Sequence, residues 1–285
     1  MKKPLIGALS ALLLAGAGGL AGAAPAAART AEPAPPKAAA PVAVDFAGTV
    51  ALSNCSGSLV RLPGSAAGDP ALILSNGHCL ETGMPGPGQV VTNRSSNRSF
   101  TLLSSSGGRL GTVRASKIAY GTMTDTDVSI YQLTSTYADI QSRYGISPLT
   151  IADTHPVAGS AIKVVSGYWK RIYSCNVDGF VYRLKEGSWT FKDSVRYTSS
   201  CNTIGGTSGS PVVDVATGKV VAVNNTGNED GESCTVNNPC EVDQSGKVTV
   251  RKGINYAQET YLIPACFAPG NKLDLNRAGC VLPKP

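Results

Sequence analysis

The chain has 285 residues, 15% of them charged, with 25 Lys+Arg against 19 Asp+Glu and a formal charge of +6. Charge this sparse excludes a disordered polyampholyte and a basic nucleic-acid arm, which both need denser charge. Hydrophobic residues at 42%, with 32 glycines and 18 prolines, describe a sizeable core cut by many turns, and eight cysteines without a C-x-x-C pair fit four disulfides in an oxidising compartment better than a metal site.

In chain order, Lys2 and Lys3 precede an apolar run from Leu5 to Leu20, followed by small residues at Ala21-Gly22-Ala23 and Ala26-Ala27-Ala28. Residues 1–28 therefore read as a secretory signal peptide. The run is too short, and too diluted by Gly7, Gly16, Gly18 and Gly19, for a membrane anchor. Its removal leaves 23 basic against 19 acidic residues, a charge of +4, too weak and scattered for a nucleic-acid surface. The expected protein is secreted and extracellular, a monomer with neither nucleic-acid nor membrane partner. Residues 29–44 are Pro/Ala-rich and read as a tail or short propeptide, with the folded domain over 45–285.

Within it, short apolar runs with β-branched residues predict strands at Ala71–Leu74, Val128–Leu133, Ile162–Val165, Val177–Tyr182 and Val220–Val223. Gly, Pro, Asn and Ser clusters separate them, such as PGPG at 85–88 and SSSGG at 104–108. Many short strands predict an all-β sandwich or barrel. Long helical periodicity is absent, and the one helix expected is a short C-terminal segment near Ala257–Ile263, stopped by Pro264.

Three segments carry candidate chemistry. Gly205-Gly206-Thr207-Ser208-Gly209-Ser210-Pro211 places a serine between glycines on a tight loop before an apolar strand. Glycines with positive φ can turn the amides of Gly206 and Ser208 toward one oxygen while Ser208 stays exposed to attack a carbonyl. The pattern is not the G-x-S-x-G elbow, since Ser210 stands two residues after Ser208. A serine needs a base, and the chain has only two histidines, His78 and His155. His78 follows a buried-strand run and precedes Cys79; His155, before Pro156 in a turn-rich stretch, reads as an ordinary loop imidazole. Asp127 abuts the apolar strand from Val128, so it can be buried and accept an imidazole N–H, whereas Asp125 reads as solvated.

The order His78, Asp127, Ser208 is that of the chymotrypsin type. The sequence resembles the chymotrypsin-like (trypsin-like) serine peptidases over about residues 49–263, and within them the bacterial glutamyl-endopeptidase-like branch. The resemblance rests on NCSGSLV at 54–60, LSNGHC at 74–79, DVSIYQL at 127–133, SGYW at 166–169, VRYTSSCNTIGGTSGSP at 195–211 and KVVAVNN at 219–225. It implies two six-stranded antiparallel β-barrels, meeting near residues 140–160, with the site in the cleft between them. It implies a Cys55–Cys79 bridge; Cys175–Cys201, Cys234–Cys240 and Cys266–Cys280 are expected from proximity in sequence alone.

Two departures bear on activity and specificity. Thr207 stands where mammalian trypsin-like enzymes carry an aspartate that pairs with a newly cut amino terminus. In the specificity pocket, Asn202 stands where trypsins have an aspartate and Asn224 where glutamyl endopeptidases have a histidine, although Thr203 matches the latter's threonine. Nearby Glu229, Asp230 and Glu232 oppose Arg251 and Lys252 as hints, so an uncharged or mixed preference is expected. The acidic run Asn228–Glu232 lacks an ordered calcium-ligand spacing. The sequence therefore predicts a serine endopeptidase acting on protein or peptide substrates without metal or cofactor. The rival readings are a protease-fold binding or adhesion module that has lost turnover, and an esterase using the same triad.

Overall fold

The structure, a computed structural model, describes residues 42–285. The signal peptide expected over residues 1–28 and most of the tail expected over 29–44 lie outside the described residues. Where the described chain begins, the Val42 amide donates to the Val215 carbonyl, and Val44 and Phe46 pack on buried apolar side chains.

The first half holds β1 (Thr49–Ala51), β2 (Ser56–Arg61), β3 (Pro70–Ser75), β4 (Val90–Ser95), β5 (Ser99–Leu103), β6 (Arg109–Thr122) and β7 (Val128–Thr136). Pairing in the order β1-β5-β6-β7-β3-β2 and back to β1 closes a six-stranded antiparallel barrel, with β4 added on β6. After helix α1 (Tyr137–Tyr144) come β8 (Leu149–Thr150), β9 (Ala161–Ser166), β10 (Arg171–Glu186), β11 (Trp189–Tyr197), β12 (Pro211–Asp214), β13 (Val220–Gly227), β14 (Cys240–Val242), β15 (Val248–Val250) and β16 (Asn255–Glu259). The order β11-β16-β13-β12-β9-β10, closed by pairing of β10 with β11, makes the second barrel. A 3-10 turn (Pro264–Cys266) and the short pair β17 (Phe267–Ala268) and β18 (Lys272–Leu273) end the chain.

Alternate residues of the same strands fill different cores. Ile73 and Tyr131 point into the first barrel, and Val164 and Ala222 into the second. Their neighbours Leu72, Leu74, Ile130, Val165 and Val223 join a third cluster, fed by both barrels, in which Ile263, Phe267 and Leu282 from the C-terminal segment also pack. A strand buried on both faces reads as a continuous apolar run rather than an alternation. This is why β3, β7, β9 and β13 were the strands most legible in the sequence.

The expected helix over Ala257–Ile263 is a correction. Asn255–Glu259 is β16, buried at every residue because β11 and β13 flank it, and only the 3-10 turn after Pro264 is helical. The true helix, α1, is too short to show a period, but its ends are encoded. Thr136 and Asp139 form a reciprocal capping box, and Gly145 closes it in the left-handed conformation.

Leu74 has no exposed surface and lies in the cluster shared by the barrels. Leu74→Ala is expected to lower stability by about 2–5 kcal/mol in denaturant titration, because the packed surroundings collapse only partly into the cavity.

Candidate active site

His78 follows the end of β3 in a turn that several groups hold in place. A Cβ on Gly77 would stand 2.1 Å from the Thr122 carbonyl oxygen, so only glycine fits beside β6. A disulfide joins Cys55 to Cys79. The Cys79 carbonyl accepts from the Arg98 guanidinium and from the Asn54 amide at 3.3 Å, and Arg98 also donates to Tyr131 Oη at 2.9 Å.

Asp127, 1% exposed, faces this turn with both oxygens engaged. Oδ1 accepts from the His78 backbone amide at 3.0 Å and Oδ2 from His78 Nδ1 at 2.7 Å. The Asp127 carbonyl takes a hydrogen bond from Asn76 Nδ2 at 2.8 Å, and Ser129 Oγ donates to the Asn76 carbonyl at 2.7 Å. Asp125 is turned away: it takes a positive φ and pairs with Lys192 on β11. The Asp127 bond fixes the proton on Nδ1 and leaves Nε2 without a partner among the described residues. Burial of the ring favours its neutral form, but the Asp127 carboxylate, by charge and hydrogen bond, and Glu186, by charge, outweigh it, so the His78 imidazole titrates above the ordinary histidine range.

Ser208 reaches the same cleft from the loop before β12. Gly206 and Gly209 both take positive φ, 87° and 81°, and a Cβ on Gly209 would stand 2.1 Å from the Ser56 carbonyl oxygen. Side chains pin the loop's carbonyls: Trp169 Nε1 donates to Gly205 O at 2.7 Å and Ser56 Oγ to Gly206 O at 3.2 Å. In a trans peptide the C=O and N–H point opposite ways, so the Trp169 bond also sets the direction of the Gly206 N–H. Among the described residues neither the Gly206 nor the Ser208 amide has an acceptor. Thr207, 1% exposed, donates from Oγ1 to the Ile204 carbonyl and accepts from Asn224 Nδ2 at 3.2 Å, so the loop is held without a buried ion pair. Ser208 Oγ donates to the Asn225 carbonyl at 3.3 Å.

His78, Asp127 and Ser208 line one cavity between the barrels, together with Thr203, Asn224 and Asn225. Asn202 is exposed and does not line it. The corresponding part of the wall is supplied by Asn255 of β16, which donates to the Cys201 carbonyl at 3.0 Å and accepts from Thr203 Oγ1 at 2.8 Å. Asn224 is committed inward, accepting from Tyr197 Oη at 3.2 Å while donating to Thr207. Of the five charged residues that gave opposing hints, only Glu229 reaches the cavity; Arg251 pairs with Glu241. The sequence reading missed Glu186. It lies at the end of the long β10, is 9% exposed, and lines the same cleft, with Oε1 accepting from Thr226 Oγ1 at 3.0 Å and the Asn237 amide at 2.8 Å. Burial pushes its carboxyl above the ordinary range, against the pull of those hydrogen bonds. Only its place before the Gly187 turn hinted at it.

Four disulfides, Cys55–Cys79, Cys175–Cys201, Cys234–Cys240 and Cys266–Cys280, leave no free cysteine among the described residues. Such a set points to an extracellular or periplasmic protein. No helix of the described residues is long and apolar enough to cross a membrane. The Cys55 and Cys79 sulfurs beside His78 are bonded to each other, so they do not form a metal site with it. His155 lies outside the cleft, beside Asp193 and Glu259.

The sequence profile of the trypsin-like peptidase domain matches residues 55–223, which include His78, Asp127 and Ser208. The chain belongs to this family. The fold is similar to that of solved structures of low identity. The MamO protease domain from Magnetospirillum magneticum is 14% identical, over 76% of this chain and 94% of that one, with a TM-score of 0.48. The Rv3671c protease from M. tuberculosis in its active form is 12% identical over 85% of both chains, also at 0.48. The thermostable serine protease AL20 from an extremophilic microorganism is 15% identical over 75% and 91%, at 0.42. No curated protein matches the sequence.

Because the Glu186 charge contributes to the upward shift of the His78 imidazole, Glu186→Gln is expected to move the His78 titration, followed by NMR of its ring protons, to lower pH. An unchanged midpoint would show that the two groups do not interact.

Proposed function

We propose that this trypsin-like peptidase is a secreted serine endopeptidase working through an acyl-enzyme. Ser208 attacks the scissile carbonyl, His78 Nε2 takes its proton and later gives it to the leaving amine, and Asp127 holds the ring in the required tautomer. The Gly206 and Ser208 amides stabilise the oxyanion. The observation that carries this reading is the buried Asp127 carboxylate bonded to His78 Nδ1 at 2.7 Å, with the ring's free edge in the cleft that Ser208 lines. The two unpaired amides of the serine loop support the oxyanion role. Thr207, satisfied within its own loop, supports a site that forms without an ion pair to a new amino terminus. In this reading, residues 1–28 leave as a signal peptide and 29–44 form a tail or propeptide.

The lining of the cleft supports a cationic or polar side chain near the scissile bond over an acidic one. Glu186 and Glu229 stand in its wall and no lysine or arginine does among the described residues. A buried carboxylate from substrate would lack a partner, whereas a guanidinium or ammonium would find one in Glu186. This narrows the uncharged or mixed preference expected from Asn202 and Asn224, and it argues against glutamyl specificity.

An organophosphonate serine reagent is expected to label the protein once, at Ser208, with Ser208→Ala unlabelled and its turnover lower by several orders of magnitude. A protein that folds but is not labelled would be a protease-fold binding module instead. Asp127→Asn is expected to cost about 10⁴-fold in kcat and Asp125→Asn little, since only the former inverts the tautomer. Trp169→Phe is expected to lower kcat about tenfold with less effect on KM, short of the about 100- to 1,000-fold cost of deleting an oxyanion donor. An unaffected kcat would show that the Gly205–Gly206 peptide does not need the indole.

A further inference from the structure

Away from the cleft, His155, Asp193 and Glu259 bring one nitrogen and two carboxylate oxygens together at the edge of the second barrel. His155 Nε2 lies 3.1 Å from Asp193 Oδ2 and 3.4 Å from Glu259 Oε1, and the three ligand atoms all fall within 4.8 Å of one another. Strands β11 and β16 set this up. Val195 pairs with Ala257, and Asp193 and Glu259 each lie two residues beyond that pair, on β11 and β16. Two carboxyl groups this close disfavour each other's charged form. The Glu259 side chain is 2% exposed, and neither of its oxygens has a hydrogen-bond partner. Burial, with the Asp193 charge beside it, pushes the Glu259 carboxyl up to about 9, so it is neutral in the metal-free protein and its charged form calls for a cation.

The imidazole is prepared for the same role. His155 Nδ1 lies 2.7 Å from the Pro156 carbonyl oxygen, which can only accept, so Nδ1 donates to it and Nε2 is the ring atom turned to the two carboxyl groups. A metal-ligating histidine whose other nitrogen donates to a backbone carbonyl has this arrangement. Phe180 and Tyr261 pack edge-on against the ring, with centroids at 4.3 and 5.1 Å, and hold its plane. Tyr261 Oη donates to Asp193 Oδ2 at 3.4 Å. A proton bridges one pair of these atoms at a time, whereas one metal ion contacts all three. Tetrahedral coordination with bonds of about 2.0–2.1 Å puts neighbouring ligand atoms about 3.3 Å apart, and the two spacings from Nε2 bracket that value.

We propose that His155, Asp193 and Glu259 form a mononuclear site for a divalent transition ion of the zinc class, with the fourth position open to water on the side where His155 and Asp193 are exposed. The ion clamps the loop before β9 to β11 and β16 and so stabilises the second barrel without entering the peptidase chemistry.

The test uses the whole purified protein after EDTA treatment and dialysis, with zinc chloride as the only added ligand. With two histidines in the chain, each ring's NMR signals are separately assignable. Saturable uptake of one zinc per chain, shifts confined to the His155 ring and a higher unfolding temperature are expected. His155→Asn, at a half-exposed position that leaves the core intact, is expected to weaken zinc binding by at least about 100-fold, more than the loss of a supporting contact. Glu259→Gln is expected to abolish the zinc response, because an amide cannot supply the anionic ligand oxygen. No saturable uptake would overturn the site. So would uptake that survives His155→Asn, or shifts at His78 instead.

Discussion

The architecture depends on strands that are apolar on both faces. β3, β7, β9 and β13 each give one set of side chains to their own barrel and the alternate set to the cluster shared by the two barrels. A one-residue slip in any of them would exchange the two sets, but would also turn buried polar neighbours such as Ser75, Ser129 and Asn224 onto the wrong face. Register is therefore fixed by two cores at once. That doubled constraint makes the ends of these strands dependable places from which to project chemistry.

The site follows from it. His78 leaves the end of β3, Asp127 enters β7, and β3 pairs with β7 through Ser75 and Ser129, the last register pair before both residues. The histidine and its carboxylate thus meet across neighbouring strands of one barrel, while Ser208 arrives from the other just ahead of β12. The Ser56 amide donates to the Ser208 carbonyl at 2.8 Å, and Ser75 Oγ donates to the Ser56 carbonyl at the same distance, so a strand of the first barrel grips the serine loop of the second. Alignment of His78 and Ser208 is a property of the packed interface rather than of either barrel alone.

How much of this was legible in the sequence follows physical lines. The doubly buried strands were visible because their apolar runs are continuous. The polar, half-exposed β4, and β6, whose exposed and buried residues alternate only in its first half, gave no such run. Helix α1 was missed because eight residues cannot display a period, though its capping box stood in the sequence as Thr136-x-x-Asp139. Ala257–Ile263 looked helical because Ala, Gln and Glu favour helices, and tertiary pairing overrode that weak preference. His78, Asp127 and Ser208 were readable from local context. Glu186 and Asn255 were not, because each enters the cleft from a strand end distant in sequence from the motifs, and no local pattern marks a carboxylate as buried.

The two histidines show how surroundings divide one side chain between two tasks. Both have Nδ1 engaged and Nε2 free of any proton donor. For His78 the partner of Nδ1 is a carboxylate and Nε2 faces a cleft lined by a hydroxyl, the arrangement that the proposed general base requires. For His155 the partner of Nδ1 is a carbonyl, and it is Nε2 that faces the carboxyl groups. On the proposed roles, the side of the imidazole that meets a carboxylate separates a general base from a metal ligand, and sequence context around Gly77-His78-Cys79 and Thr154-His155-Pro156 records neither carboxylate, since Asp127 stands before β7 and Glu259 ends β16.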